Sequence, residues 1–336
     1  MKLIIDSAIP FIKDRIPSSI DTLYVPGKEI TPEIVRDADA LVVRTRTKCD
    51  ERLLKNSKVK LVATATIGTD HIDVPWCEAN NIEIKNAPGC NAPGVAQYVF
   101  ASLFRTGGFD SEIHTLGIIG YGNVGKTVAQ WAKEMGIKTM ICDPPLQETG
   151  SLEIEYTDKF SLLKECDAVT LHVPFTKEGS YPTFHLIGEQ ELKLMKKGAI
   201  LINSSRGGVV DEKSLKESLK GQELRAVIDV WENEPDIDNR LLQLCDIATP
   251  HIAGYSLQGK MRATGMVLEA LNEKFGIGAD VSGLLCIPPA GISVSKELIE
   301  KSYNPLSDTS NLKNNPKHFE ELRTYYIYRE EPLFLN

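Results

Sequence analysis

The sequence predicts an α/β protein of two units, each built on a parallel sheet, and three observations lead there. Short apolar runs of strand length alternate with amphipathic helical stretches. The runs fall into two series, separated near residues 91–110 by Asn91-Ala92-Pro93-Gly94 and a loop over 105–112 that holds Gly107 and Gly108. The chain has 336 residues, a length that suits about two domains.

In the first series, strands are expected at 3–5, 40–43, 60–64 and 82–84, with a helical stretch and a turn at Pro26-Gly27 between the first two. Alternation of such runs with helices is the pattern of βα units on a parallel sheet. Ligands of such sheets collect where strand carboxyl ends open into loops, which points to 44–48 and 66–70. Asn91 is read as the N-cap of a helix over 95–103, with Pro93 near its first turn. The second series places strands at 115–119, 139–142, 168–172, 199–203, 225–230 and 247–249, with helices between most of them. Six strands interleaved with helices fit a doubly wound sheet. A helix over 256–275 is expected to return toward the first unit. Residues 277–336 change character, with Pro288-Pro289 and Asn314-Asn315-Pro316, and one helix is expected over 319–329 beside Tyr325, Tyr326 and Tyr328.

Composition narrows the function classes. Hydrophobic residues make up 42% and charged residues 25%, which is ordinary globular usage and leaves enough apolar surface for sizeable cores. A net charge of −8 argues against nucleic acid or an anionic membrane as the main partner. The seven cysteines are scattered without a CxxC pair and the six histidines are dispersed, so neither a disulfide framework nor a metal site is expected. The apolar stretch before Asp6 is only Leu3-Ile4-Ile5, too short for a signal peptide, and no run nears the roughly 18 residues of a membrane span. The expected compartment is the cytoplasm.

The sharpest motif is Gly120-Tyr121-Gly122-Asn123-Val124-Gly125. GxGxxG is weak alone, but here it follows a strand and opens a helix expected over 126–135. Gly120 permits the tight turn, Gly122 lets a pyrophosphate approach the backbone, and Gly125 lets helix and strand pack. The helix N-terminus offers N–H groups and partial positive charge. Asp143 stands 18 residues past Gly125, where an acid accepts hydrogen bonds from the ribose hydroxyls of NAD and repels the extra phosphate of NADP. NAD is therefore the expected cofactor. His172 and Val173, at another strand end, are read as cofactor-adjacent, with His172 contributing backbone rather than a proton. His71 is read as structural.

Three further segments each end a strand: Asn203 to Gly208, Asp229 to Pro235, and Thr249 to Gly254. They bring Arg206, Glu234 and His251 to the cofactor side. Arg206 can hold a substrate carboxylate or carbonyl by its planar fork. His251 can take a hydroxyl proton while a hydride leaves. Glu234 can bond the far ring nitrogen and favour imidazolium. Each residue alone has a plain structural reading; the combination with the nucleotide motif is what gives the catalytic one.

Taken in order, the motif at 120–125, Asn203 with Arg206-Gly207, Asp229-Val230 with Glu234-Pro235, and Thr249-Pro250-His251 resemble the D-isomer-specific 2-hydroxyacid dehydrogenases. The resemblance covers about residues 1–275. It implies a Rossmann-type doubly wound sheet inserted into a second, flavodoxin-like α/β substrate domain. The expected division is 1–92 with 256–276 for substrate, 93–255 for NAD, and 277–336 as a short C-terminal α+β region. Segments 43–48, 65–71, 88–92, 142–145 and 251–255 are similar to those of a subfamily acting on a 4-phosphorylated four-carbon acid in pyridoxal 5′-phosphate (vitamin B6) biosynthesis. That similarity implies substrate contacts at Thr45, Thr66 and Tyr255, NAD contacts at Asp143, Asp229 and Gly254, and a homodimer formed through the C-terminal region. Thr45 stands where the subfamily more often has Ser, and Gln97 where a Glu is usual. Arg44, Arg46, Lys48, Lys260 and Arg262 are candidates for the phosphate or simply a solvated face. Two rival readings stay open: a different 2-hydroxy acid (phosphoglycerate, glycerate or lactate), or an NAD-sensing binding module like certain corepressors.

Overall fold

A computed structural model describes residues 1–106, 114–151, 153–221 and 223–335. The loop expected over 105–112, with Gly107 and Gly108, falls mostly outside the described residues. By its contacts the chain divides into two units, residues 1–91 with 257–287 and residues 92–256 with 288–336.

The first unit holds a five-stranded parallel sheet: β1 (Lys2–Asp6), β2 (Asp21–Val25), β3 (Ala40–Val43), β4 (Leu61–Thr64) and β5 (Glu83–Lys85), in spatial order β2-β1-β3-β4-β5. Its strands show why their sequences are apolar without alternation. Ile4, Leu41, Val43 and Val62 face one core, while Leu3, Ile5, Ala40, Val42, Leu61 and Ala63 face another. A strand covered on both faces needs apolar side chains at every position. The helix Leu257–Phe275 covers the second face with Val267, Leu268 and Leu271, all fully buried. Each such burial stabilises by about 1.5–3 kcal/mol.

The second unit holds β6 (Thr115–Ile119), β7 (Lys138–Cys142), β8 (Ala168–Leu171), β9 (Ile200–Asn203), β10 (Arg225–Ile228) and β11 (Ile247–Ala248), all parallel, in order β11-β10-β9-β8-β6-β7. A parallel bridge between Ile141 and Tyr156 marks where a further strand would extend the β7 edge. The strand order reverses between β6 and β8, the switch point at which doubly wound sheets bind ligands. The helix Ala92–Arg105 lies in the core, buried along nearly its whole length. No helix among the described residues is long and apolar enough to cross a membrane.

Four local expectations change. β2 was read as part of a helical stretch; it is an edge strand with exposed and half-buried positions, so its sequence lacks the apolar run of its neighbours. Asn91 does not cap the helix that follows: its Oδ1 is buried without a hydrogen-bond partner and the helix begins at Ala92. The helix after the glycine motif starts at Asn123, so the motif supplies its first turn. The C-terminal helix stops at Thr324, and Arg329 instead pairs with Ser256 in a single parallel bridge, which is the β component found in 288–335. Residues 277–287 pack with the first unit and 288–336 with the second, the division falling at Pro288-Pro289.

Candidate active site

Because all six strands of the second sheet are parallel, their carboxyl ends open on one edge. Gly120, Asp143, His172, Asn203 to Arg206, Asp229 and Thr249 to His251 all follow those ends.

The glycine turn is constrained by contact. Gly120 has φ +93°, and a Cβ there would lie 2.4 Å from the His172 carbonyl oxygen and 2.9 Å from Val173 Cγ1. A Cβ on Gly125 would meet the Gly120 carbonyl oxygen at 2.1 Å. At Gly122 a Cβ would meet nothing within 4 Å. Gly122 is the N-cap of the helix Asn123–Glu134 and supplies no side-chain hydrogen bond, so the first-turn N–H groups carry no side-chain cap. Exposed Gly122 and Asn123 with half-buried Val124 border this opening. Asp143 is fixed beside it: Oδ2 accepts from Tyr121 N–H at 2.7 Å and Oδ1 from Leu146 N–H at 3.0 Å. A carboxylate held by two N–H groups keeps further lone pairs for ribose hydroxyls. These residues fit a dinucleotide. His172 has Nε2 at 3.0 Å from Thr170 Oγ1, and burial pushes its pKa down to about 3, so the ring is neutral at ordinary pH.

Arg206 stands in a turn tied by Asn203, whose Oδ1 accepts from Ser205 N–H at 3.1 Å and Ser205 O–H at 2.8 Å, and whose Nδ2 donates to the Arg206 carbonyl at 3.1 Å. Gly207 follows because a Cβ there would sit 1.9 Å from the Trp231 carbonyl oxygen. Trp231 N–H in turn donates to Glu234 Oε1 at 3.0 Å. The turn bearing Arg206 thus packs directly on the loop bearing Glu234.

Glu234 Oε2 lies 2.8 Å from His251 Nδ1. Burial pushes the Glu234 carboxyl upward, but the His251 contact, Trp231 N–H and Arg323 outweigh it and hold the group below the usual carboxylate range. His251 sits at φ +58°, a left-handed conformation that costs a non-glycine residue on the order of 1–3 kcal/mol. Surrounding bonds hold it there. Buried Asp229 accepts His251 N–H at its carbonyl (2.8 Å), and its carboxylate accepts Ile252 N–H (2.8 Å), Ala253 N–H (2.9 Å) and Thr249 O–H (2.6 Å). Tyr98 O–H reaches Thr249 Oγ1 at 2.7 Å behind this. The imidazole is left with Nδ1 on a carboxylate and, among the described residues, Nε2 without a hydrogen bond, an arrangement that can accept a proton at Nε2.

The C-terminal segment reaches this loop, which sequence reasoning missed. Arg329 is buried and donates to the carbonyls of Gly94 (3.0 Å), Ile252 (2.9 Å) and Ala253, and to Gln97 Oε1 (2.9 Å). Arg323 Nε donates to Tyr255 Oη at 3.2 Å, and its Nη1 lies 3.9 Å from Glu234 Oε2. Gly254 lies between, its carbonyl accepting Ser256 N–H at 3.2 Å. The one sequence signal was the 319–329 segment, which resembled an assembly element instead.

In the first unit, Thr45 is exposed in the loop after β3. Thr66 Oγ1 follows β4, 2.7 Å from Thr64 Oγ1, which also contacts His71 Nε2 at 3.1 Å. Of the basic candidates, Arg44 pairs with buried Asp6 at 3.0 Å, Lys48 with Asp50 at 3.1 Å, and Arg262 Nε donates to the Cys90 carbonyl at 2.9 Å. Among the described residues, His185, Asp211 and Glu232 gather ligand-type atoms within 4.8 Å. Local tasks account for them: Asp211 caps the helix Glu212–Lys220, and Glu232 accepts from His185.

Fold and site define a nucleotide-dependent dehydrogenase, and comparison with known proteins agrees. Residues 99–253 match the family described as D-isomer specific 2-hydroxyacid dehydrogenase, NAD binding domain. The chain belongs to the D-isomer specific 2-hydroxyacid dehydrogenase family, whose cofactor is NAD. Within it, the chain is 46% identical over 340 residues to the erythronate-4-phosphate dehydrogenase of Bacteroides fragilis, covering 98% of this chain and 97% of that one. It is 43% identical over 339 residues to the protein of the same name from Bacteroides thetaiotaomicron, with 98% and 97% covered. Among solved structures it is similar to D-lactate dehydrogenase from Aquifex aeolicus complexed with NAD and lactic acid, with a TM-score of 0.66, 27% identity, and 82% and 96% of the two chains covered.

Proposed function

We propose that this chain oxidises 4-phospho-D-erythronate at C2 to 2-oxo-3-hydroxy-4-phosphobutanoate, with NAD as acceptor, in pyridoxal 5′-phosphate biosynthesis. The observation that carries the chemistry is the His251–Glu234 contact at 2.8 Å, on a loop whose backbone is fixed from both sides. The choice of acid is supported by the near full-length similarity to two proteins named erythronate-4-phosphate dehydrogenase.

In this reading residues 92–256 hold NAD and residues 1–91 with 257–287 serve the substrate. The N–H groups of the Gly120–Gly125 turn, with Asn123 and Val124, take the diphosphate, and Asp143 takes the ribose hydroxyls. His172, Val173, Asp229 and Gly254 border the nicotinamide end. NAD, when bound, supplies the hydride acceptor. Arg206 orients the substrate carboxylate by a fork of two N–H donors. His251 Nε2 accepts the C2 hydroxyl proton as the C2–H bond breaks. Glu234 stabilises the imidazolium that results and keeps Nδ1 protonated. Thr45, Thr66 and Tyr255 contact the substrate. A homodimer and a cytoplasmic location complete the proposal.

The test follows NADH formation by the purified full chain with 4-phospho-D-erythronate beside 3-phosphoglycerate. A kcat/KM at least about tenfold higher for the four-carbon acid is expected, a preference within reach of one well-placed polar contact. A preference for 3-phosphoglycerate, or for an unphosphorylated acid, would overturn the substrate.

A further inference from the structure

The loop after β8 and the helix after β7 are joined by a hydrogen bond that passes over the glycine turn. Tyr181, in that loop, donates its O–H to Glu148 Oε1 on the helix Pro144–Thr149. In the sheet, β8 and β7 lie on opposite sides of β6. The three strands are parallel, so the loop, the helix and the Gly120–Gly125 turn all leave from one edge. A bond from the loop to the helix therefore crosses the carboxyl end of β6, where the glycine turn begins. The helix has Asp143 as its N-cap, so Glu148 stands about one turn beyond the carboxylate read as the ribose acceptor.

The base of the loop is fixed. Thr183 Oγ1 accepts Thr176 N–H at 2.8 Å and donates to the Pro174 carbonyl at 2.6 Å, and the Thr176 carbonyl accepts Thr183 N–H and Phe184 N–H, both at 2.9 Å. These bonds close a narrow neck and leave 177–182 as the tip. Just past the neck, His185 N–H donates to the Gly208 carbonyl at 2.8 Å, which ties the loop to the segment bearing Arg206. The contact at the tip is different: Tyr181 is 40% exposed and Glu148 is exposed as well. The Glu148 carboxylate holds the Tyr181 phenol above its ordinary pKa, so the hydroxyl keeps its proton and remains the donor. An exposed hydrogen bond opens readily, because water replaces either partner at little cost. A bond of this kind closes a passage without fixing it shut.

We propose that the Tyr181–Glu148 bond is a clasp over the adenosine end of the dinucleotide site, so that the chain admits and releases NAD through the open form alone. This rests on the reading above that the Gly120–Gly125 turn and Asp143 hold NAD. It gives two exposed side chains control of cofactor exchange and no part in hydride transfer. A clasp differs from a ligand contact in one measurable respect. It bars entry and exit alike, so loosening it speeds both by the same factor and leaves affinity unchanged. Loss of a direct contact speeds release and weakens affinity.

Stopped-flow fluorescence of NADH binding to the full-length chain tests it, with no acid present. Tyr181→Phe removes the donor and keeps the ring; Glu148→Ala removes the acceptor. Each is expected to raise the association and dissociation rate constants about three- to tenfold, the scale of one exposed hydrogen bond, with Kd by calorimetry within about twofold of native. The double variant should match either single variant within about twofold, because the same bond is broken in all three. Melting temperatures close to that of the native chain confirm that folded states are compared. Rate constants in Tyr181→Phe within about 1.5-fold of native would overturn the clasp, being less than the loss of one hydrogen bond predicts. Faster dissociation alone, with a weaker Kd, would overturn it too, since that marks a direct contact with the cofactor. Multiplying effects in the double variant would show that the two residues act separately and not through a shared bond. Each of these outcomes leaves the glycine turn as the NAD site. Native NADH affinity in Gly120→Ala would instead place the cofactor elsewhere, removing that reading and the clasp with it.

Discussion

Glu234→Gln separates the charge of that side chain from its shape. Glutamine keeps an oxygen for Trp231 N–H and for His251 Nδ1–H but carries no charge. Glu234 Oε2 and His251 Nδ1 are 2.8 Å apart, with the two side chains 18% and 30% exposed. At that distance an effective dielectric constant of about 20 gives an attraction of about 6 kcal/mol between unit charges, which is a ceiling. Desolvation of both groups offsets much of it, and charge-assisted hydrogen bonds contribute about 1.5–3 kcal/mol net. The imidazolium forms only as the substrate proton arrives, so the loss falls on the transition state. At about 1.4 kcal/mol per factor of ten, kcat should drop about ten- to a hundredfold, with KM for the acid within about twofold. Initial rates at saturating NAD measure this, and a rising primary isotope effect with C2-deuterated substrate shows that proton and hydride removal have become limiting. A Glu234→Gln enzyme with kcat within about threefold of native would mean that the carboxylate charge is not used, and the acid–base assignment would fall.

Three other outcomes follow from separate contacts. Gly120→Ala places a methyl 2.4 Å from the His172 carbonyl at φ +93°, so NAD affinity by calorimetry should fall at least about tenfold; native affinity would contradict the close turn. Asp143→Ala should narrow the ratio of kcat/KM for NAD over NADP, measured with one acid; an unchanged ratio, or equal use of both cofactors by the native enzyme, would remove that carboxylate from ribose recognition. Burial raises Glu212 to about 7 from 4.5, so its protonated form favours folding at low pH and that advantage is lost as pH rises through roughly 4.5 to 7. Glu212→Gln has no proton to lose, and its melting temperature should exceed the native value increasingly between about pH 5 and pH 8; a flat or shrinking gap would refute the raised carboxyl.

The sequence by itself determined the parts of this protein that are local. The mostly apolar runs at β3, β6 and β8 appear where expected because a strand buried along its length favours apolar side chains on both faces. The Gly120–Gly125 turn was legible because its backbone approaches other backbone too closely for a Cβ, a constraint written in residue identity. Arg206, Glu234 and His251 could be nominated together because each follows a strand, and parallel strands open on one edge.

Tertiary structure decided the rest. β2 was hidden because an edge strand has one paired side and an exposed face, which leaves a mixed composition. Asn91 has a capping residue's identity, yet its side-chain Oδ1 is buried without a partner. The roles of Arg323 and Arg329 were out of reach for a plainer reason. Arg329 binds the Gly94 carbonyl across 235 positions, and every residue carries an identical carbonyl, so the acceptor side of that contact leaves no mark in the sequence. Which residues a guanidinium holds is settled by how the chain folds back on itself, and at this site it holds the loop that presents His251.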